Sequence, residues 1–289
     1  MRKMLVLASC LLLLSLCAYS QAVNIGLRGG LSIPNVVAGG DNPLSQGYSS
    51  RLAGAGGIFA ELDLNKTFSL RLGAEYSGQG GKRNGIQAMS TNQLISSITA
   101  GMDIANSPAA SAILEQMPGM LPGIFYADVQ NTAKFDYLMV PLTLQAGKDV
   151  GKSWRLYAGA GPFISFLLSA KQISEGHTKL YTGSDKSKTL LEYIPEEFQQ
   201  LIAGQAPELA YIFGQGTEFG TEDITNDLKK VNAGVQGNVG LAYQIHRHKI
   251  FLEVGGNYGF ITVQKDKSNG SNSIGSGSVM LGYAIRLGE

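Results

Sequence analysis

The stretch YLMVPLTLQ, residues 137–145, decides the fold class of this protein. Large apolar side chains recur at every second position of this stretch: Leu138, Val140, Leu142 and Leu144. Successive side chains of a β-strand point to opposite faces, so this period predicts a strand with one apolar face. The opposite face carries Tyr137, Pro141, Thr143 and Gln145.

The same alternation recurs in seven further segments of the chain. These segments are residues 23–33, 58–64, 68–79, 154–166, 232–245, 250–258 and 278–287. The nearest candidate for a membrane-spanning helix, residues 156–170, is short and is interrupted by two glycines and a proline. The chain is therefore predicted to be an all-β protein with eight strands.

The connections between these segments alternate strictly in length. Short turns are predicted at residues 65–67, 147–153 and 246–249, and long loops at residues 34–50, 80–134, 171–230 and 262–273. Short periplasmic turns and long external loops are typical of membrane barrels with an even number of strands. The sequence predicts an eight-stranded antiparallel up-and-down transmembrane β-barrel with both termini in the periplasm. In the last hairpin, Ile245 is expected to face Ile250 and Ala242 to lie near Glu253.

The face opposite the predicted lipid contact carries charges of both signs. These residues are Arg28, Glu61, Asp63, Arg71, Glu75, Arg155, Glu253 and Arg286. An eight-stranded barrel is only wide enough for its own side chains, and unpaired buried charges are costly. We therefore expect a packed network of ion pairs in the barrel interior. The alternative is a selective channel, which would require water to pass this network.

Aromatic residues on the apolar face cluster by level. Phe68, Trp154, Tyr243 and Tyr283 are predicted near the short-turn end, where a membrane-interface girdle would lie. The plainer explanation is that aromatic residues favour strands in general.

The N-terminus has the layout of a secretory signal peptide. Arg2 and Lys3 precede an apolar run at residues 4–16 and a segment of small residues. We expect a signal peptide at residues 1–20, with cleavage after Ala22 as the alternative, and one barrel domain at residues 21–289. Cys10 matches a lipoprotein signal only in its letters, because it lies within the apolar run. The remaining chain lacks cysteine and hence a disulfide framework.

The charge composition argues against a nucleic-acid partner. The formal net charge is +1, only 16% of the residues are charged, and Lys and Arg are scattered along the chain. A nucleic-acid-binding surface would need clustered positive charge.

The long loops contain segments with helical periodicity. Helices are predicted at residues 92–105 and 109–117, and after Pro195 up to Gly204. The apolar face of the last helix would consist of Ile194, Phe198, Leu201 and Ile202. Loops 80–134 and 171–230 could bind a surface partner, but apolar helical stripes more often pack on each other and on the barrel rim.

Catalytic, metal and cofactor sites find little support in the sequence. His177 has no second partner at a suitable spacing, and His246 and His248 lack the further ligands of a metal site. Gly159-Ala160-Gly161 lacks the third glycine and the helix of a nucleotide-binding loop. We expect no catalytic residues, no metal and no cofactor.

Several strand motifs resemble those of a known family. YLMVPL at residues 137–142 and YAGAGPF at residues 157–163 resemble the PorT-like outer membrane protein beta-barrel family, as do the first and last strands. The chain departs from that family at Met139 and in its last three residues, 287–289. The resemblance implies a small OmpA/OmpX-like barrel in the outer membrane of a Gram-negative bacterium. Its partners would be outer-membrane lipid, periplasmic chaperones and the barrel-assembly machinery.

The sequence therefore favours a structural or surface-interaction role in the outer membrane. The main alternative is a small-molecule channel, and a lesser one is an enzyme with its site at the barrel rim. Strand motifs specify a fold well and an activity poorly.

Overall fold

The computed structural model describes residues 23–92, 94–95, 108–218, 220–267 and 270–288. The predicted signal peptide at residues 1–20 lies outside the described residues. The strands are β1 (Val23–Ala38), β2 (Ala53–Asp63), β3 (Phe68–Ser90), β4 (Ile124–Val150), β5 (Trp154–Glu175), β6 (His177–Thr178), β7 (Leu180–Tyr181), β8 (Thr217–Glu218), β9 (Thr221–Asp223), β10 (Val231–Ile245), β11 (His248–Gly259) and β12 (Asn272–Leu287).

Within the described part of the chain, eight long strands form a closed antiparallel ring. The order is β1-β2-β3-β4-β5-β10-β11-β12, and β12 returns to pair with β1. The closing pair runs from Val23 opposite Leu287 to Ala38 opposite Asn272. Closure gives every strand two hydrogen-bonded neighbours and leaves no free edge around the ring. The predicted number of strands, their antiparallel pairing and their up-and-down order are confirmed.

Short turns and long loops alternate around the ring, as the sequence predicted. The last short turn, however, contains only His246 and Arg247, and His246 has a positive φ of 55°. The predicted register of this hairpin was therefore wrong: Tyr243 faces Ile250, and Ala242 faces Phe251. A two-residue turn allows both strands to pair up to their ends.

The ring strands extend further than predicted on the side of the long loops, and the longest extensions are those of β3, β4 and β5. β3 continues to Ser90, β4 begins at Ile124, and β5 continues to Glu175, so the predicted loop at residues 80–134 is reduced to residues 91–123. The direction of the alternation changes along β4. Between residues 138 and 144 the apolar side chains point outward, whereas Phe125, Val129 and Phe135 point inward and are buried. The extension is thus a strand whose apolar face is turned to the interior.

Large apolar side chains cover the outer face of the ring. Leu27, Val239 and Leu281 are 58%, 57% and 62% exposed, and every ring strand contributes such residues. Phe68, Trp154 and Tyr283 lie outward near the short turns, and the Trp154 ring is 4.8 Å from that of Tyr243. In water, an apolar belt of this extent would be a strong site of association.

The helices lie at the long-loop end and form a cap. They are α1 (Pro108–Gln116), α2 (Leu190–Tyr193), α3 (Glu196–Gln205) and α4 (Pro207–Gln215). The helices predicted at residues 109–117 and after Pro195 are confirmed, and most of the one predicted at residues 92–105 lies outside the described residues. Among the described residues, no helix combines the length and apolarity needed to cross a membrane.

A separate apolar core holds this cap together. Phe213, Leu209, Ile202 and Ile113 are buried there against inward side chains of the β3–β4 extension, such as Phe125. The helices therefore pack on each other and on the strands. Leu201 was predicted in this core but is 37% exposed, because the core contacts only a narrower face of α3.

We predict that Phe213→Ala loosens the cap and leaves the ring intact. Loss of a fully buried phenylalanine costs about 3–5 kcal/mol, and the cost falls on the cap core, which contacts the ring strands only at their β3–β4 extension. Trypsin treatment of intact cells should then cleave the cap faster, at lysines such as Lys186. Tyr211→Ala on the same helix is the matched control, since Tyr211 is 60% exposed. Equal cleavage of both variants would contradict an independent cap core.

Candidate functional site

Six charged side chains meet inside the ring and are called the ionic cluster here. Its members are Arg28 on β1, Glu61 on β2, Arg71 and Glu75 on β3, and Lys249 and Glu253 on β11. All six are less than a tenth exposed. Three cations thus balance three carboxylates among side chains that are almost fully buried, where an unbalanced charge would be costly.

Glu253 lies at the centre of the ionic cluster. Its Oε2 accepts a hydrogen bond from Arg28 Nη1 at 2.5 Å, and its Oε1 accepts from Arg71 Nη1 and, at 2.8 Å, from the Tyr157 hydroxyl. One carboxylate on β11 therefore joins guanidinium groups from β1 and β3. Charge-assisted hydrogen bonds of this kind are about twice as strong as neutral ones.

Glu61 and Glu75 complete the pairing on either side of this centre. Glu61 Oε2 accepts from Arg71 Nη2 at 2.8 Å and Nε at 3.0 Å, and Glu61 Oε1 pairs with the Lys249 ammonium. Glu75 accepts from Arg28 Nε at 2.9 Å and Nη2 at 3.0 Å. Glu61 and Glu75 thus each accept two hydrogen bonds from one arginine, and Glu253 accepts from two arginines. These pairs offset the desolvation that burial imposes.

Aromatic rings surround the guanidinium group of Arg71. Its carbon atom Cζ is 4.5 Å from the ring centre of Phe59, 5.1 Å from that of Phe251 and 5.8 Å from that of Tyr157. Cations over aromatic faces gain further attraction when they are desolvated. The rings can lie flat because a glycine faces each one across the strand pair: Gly26 faces Phe59, Gly282 faces Phe251 and Gly240 faces Tyr157.

Three residues expected in the interior network lie elsewhere in the structure. Asp63 and Arg286 form a pair at 3.8 Å, and Arg155 pairs with Asp149 at 2.9 Å. All four line an open vestibule of about 570 Å³ at the short-turn end of the ring. Their side chains point into the ring, but they lie at its mouth, where water reaches them.

Two members of the site were missed by sequence reasoning. The predicted turn after Ile245 includes Lys249, although this residue shares its inward parity with Phe251 and Glu253. Tyr157 shares the inward parity of Arg155, and its hydroxyl could have been recognised as a partner for a carboxylate. In both cases the signal is the alternation of inward and outward side chains, continued by one further inward position along the strand.

Further layers fill the interior above the ionic cluster. A small chamber of about 30 Å³ is lined by polar side chains that include Ser32, Gln236 and Asn257. Along β4 the next inward residues, Tyr137, Phe135 and Ala133, belong to an apolar layer across the ring. The cap core follows beyond that layer. The interior thus alternates between charged, polar and apolar levels.

His177 and His248 each lie within hydrogen-bond distance of a group outside the ionic cluster. His177 Nε2 lies 3.2 Å from the backbone oxygen of Gln215, and His248 Nδ1 lies 2.6 Å from the Tyr283 hydroxyl. Among the described residues, no group of three His, Cys, Asp or Glu side chains could hold a metal ion. The ionic cluster, by contrast, is suited to electrostatic stabilisation of the ring.

A closed antiparallel ring with an apolar outer belt and a charged interior resembles the class of outer-membrane β-barrels. Residues 19–264 match the family described as Outer membrane protein beta-barrel domain. Because the match covers most of the chain, the protein belongs to this family. No curated protein matches the sequence.

Solved structures with a similar arrangement include surface proteins and channels. Neisserial surface protein A (NspA) is 10% identical, with 91% of this chain and 97% of that chain covered and a TM-score of 0.37. Ail, the attachment invasion locus protein of Yersinia pestis, is 10% identical, with 93% and 99% covered and a TM-score of 0.34. An outer membrane channel from Pseudomonas putida F1 is 9% identical, with 93% and 96% covered and a TM-score of 0.25.

We predict that Glu253→Gln destabilises the ring strongly. The change removes the negative charge that Arg28 and Arg71 share, and breaking a buried ion pair costs about 3–5 kcal/mol. Urea unfolding of the refolded protein, followed by the fluorescence of Trp154, measures this loss.

Asp149→Asn is the matched control for this prediction. It removes a carboxylate from an ion pair of similar length, but Asp149 is mostly exposed, so the expected loss is below about 1 kcal/mol. Similar unfolding midpoints for the two variants would show that burial does not strengthen the ionic cluster.

Proposed function

We propose that this protein is an integral outer-membrane β-barrel with a closed interior, whose external cap has a structural or surface-interaction role. The observation that carries the proposal is the ionic cluster, which joins β1, β2, β3 and β11 across the interior. The proposal includes export by the signal peptide at residues 1–20 and assembly into lipid with the help of periplasmic chaperones and the barrel-assembly machinery. The strand motifs favour the PorT-like branch of the family.

The outer belt supports a transmembrane position. On β3 the outward residues from Phe68 to Tyr76 are all apolar or aromatic. Lys82 is the first charged outward residue beyond them. A transmembrane strand needs about 9–11 residues. On β4 the outward face changes from apolar to charged between Leu138 and Asp136. This change lies at the same level as Tyr76 on β3, because Tyr76 and Leu138 are paired. This change would mark the external membrane boundary.

Three successive levels support a closed interior. Water that entered from the short-turn vestibule would meet the ionic cluster first, then the apolar layer around Tyr137, and then the cap core. Tyr137 and Phe135 are 1% and 4% exposed. An eight-stranded barrel leaves little room beside such side chains. Channel function would require all three levels to open together.

The cap supports a role at the cell surface. The part of β3 from residue 78 to residue 90 is roughly 40 Å long at about 3.4 Å per residue, so at a strand tilt of about 35–45° it would reach roughly 30 Å beyond the membrane boundary. Met89 of this segment and the paired Phe125 of β4 join the cap core, so the helices are held on a strand support. Binding residues are often presented in this way, on loops fixed by a rigid scaffold. The proposal assigns no enzymatic activity to this surface.

The first test of the proposal is the location and heat-modifiability of the protein. We expect it in the outer-membrane fraction, and we expect the unboiled protein to migrate differently from the boiled protein in gel electrophoresis, because a closed ring resists detergent. Recovery in the soluble periplasmic fraction with unchanged mobility would contradict the membrane position.

The second test is single-channel recording in planar bilayers. The wild-type protein is expected to produce no discrete conductance steps at either polarity. The double variant Arg28→Ala/Glu75→Ala removes one complete pair, keeps the net charge and enlarges the interior beside the polar chamber. It should leak more than the wild type. Regular steps from wild-type protein would contradict the closed interior and favour the channel alternative.

A further inference from the structure

A second cavity lies between the apolar layer and the cap core. Its volume is about 70 Å³, and its walls come from β1, β3, β4 and the loop segments near residues 44–48, 224–228 and 263–264. It is separate from the ionic cluster and shares no lining residue with it. One part of the wall is apolar, with buried side chains such as Val36, Phe135 and Leu228, and the rest is polar.

Arg83 is a buried cation in the wall of this cavity. Arg83 is 7% exposed, and its guanidinium carbon lies 5.0 Å from the centre of the aromatic ring of Tyr48. Nη1 and Nη2 donate only to the backbone oxygens of Leu44 and Pro43, at 3.3 and 3.4 Å, and Nε has no partner. No carboxylate in the described ranges of the chain forms an ion pair with it, whereas Arg28 and Arg71 each pair with two.

An arginine in this state is incompletely satisfied. The guanidinium group stays protonated in proteins, and a buried charge without a counter-ion is costly. The cost is offset when an anion occupies the adjacent space and accepts the free N–H groups. Arg83 is therefore suited to bind a carboxylate, which its planar group can hold with two parallel hydrogen bonds.

Asn131 supplies the complementary group next to Arg83. The two residues are directly paired across β3 and β4, so their Cβ atoms are about 5 Å apart on the same inner face. Asn131 is 4% exposed, and its Oδ1 has no hydrogen-bond donor. A buried acceptor without a donor is as unfavourable as a buried donor without an acceptor. A ligand here would need a hydroxyl or amino group close to its carboxylate.

The size of the cavity limits the ligand further. At about 10–15 Å³ for each water-sized position, 70 Å³ accommodates roughly five to seven non-hydrogen atoms. The apolar wall suits a short aliphatic side chain. Tyr48, Gln172 and Gln264 are partly exposed and Asp227 is exposed, so they form the mouth of the cavity.

We propose that Arg83 and Asn131 form a binding site for a small 2-hydroxy or 2-amino carboxylate with a short apolar side chain. The carboxylate accepts hydrogen bonds from Arg83, the hydroxyl or amino group donates to Asn131 Oδ1, and the side chain contacts the apolar wall. This site goes beyond the proposed structural role, and it does not depend on whether the ring conducts.

The test is isothermal titration calorimetry on the full chain, refolded in detergent micelles, with lactate and alanine as probes. Binding of at least one probe is expected, and the better probe identifies the preferred donor group. The matching amide, lactamide or alaninamide, should bind at least about tenfold more weakly, since a hydrogen bond to a charged group is lost. Propionate, which lacks the donor for Asn131, should bind about threefold to tenfold more weakly.

Variants separate this site from a structural role of Arg83. Arg83→Gln should abolish measurable binding and leave the unfolding midpoint equal or higher, because it removes an uncompensated buried charge. Lys82→Gln is the matched control: it removes the neighbouring charge of the same strand from the exposed outer face, and should not change binding. Asn131→Leu should remove the preference for lactate or alanine over propionate.

Four results would overturn the proposal. The wild-type protein could bind neither probe at millimolar concentration, which decides the question without any variant. The amides could bind as well as the acids. Arg83→Gln, shown to be folded by its unboiled gel mobility, could bind as well as Lys82→Gln. Should Arg83→Gln fail to fold, Arg83 is structural and the site is not formed as proposed.

Discussion

The shared carboxylate of Glu253 is the interaction on which the interior of the ring depends. Its two oxygens hold Arg28 and Arg71, and Arg71 in turn holds Glu61, which pairs with Lys249. Arg71 and Glu61 lie on the neighbouring strands β3 and β2. The other contacts run across the ring and connect strands that have no backbone hydrogen bonds to each other, such as β3 and β11. Because charges of one sign balance those of the other, no single member can be lost without leaving a buried partner unsatisfied.

The alternation of side chains sets the outer and inner faces of the ring, and the apolar face changes from outward to inward once along β4. Beside the ionic cluster, apolar residues point outward and charged residues inward. On β4 beyond Asp136 the apolar residues point inward and polar residues such as Lys134 point outward. The backbone pairing continues unchanged through this point apart from a bulge at Asp136 and Tyr137. One strand therefore serves two environments, an apolar surrounding at one end and an aqueous one at the other.

This change of direction explains what could be predicted from the sequence. The strands and facing of Leu138, Leu142 and Leu144 followed from the outward apolar period. The extension from Ile124 to Lys134 keeps the period, but its apolar residues point inward, so a pattern of outward apolar residues does not include it. Lys249 was missed because the turn is two residues long and not four, which shifts the register of the two strands that it joins. The neighbours of Arg83 could not be predicted, since they come from loops far apart in sequence and meet only through tertiary packing.

Closure of the ring also orders the events of folding. The closing strands β1 and β12 come from opposite ends of the described chain, with Val23 opposite Leu287. Contacts of such wide sequence separation form late, because a long loop must first be restricted. Glu61 and Arg28 have Arg71 and Glu75 as partners within β1–β3, but their contacts to Lys249 and Glu253 must wait for β11. A nascent chain that lacks its final strands would therefore have two open strand edges and an incomplete ionic cluster, and would be prone to pair with other chains until the last strand arrives.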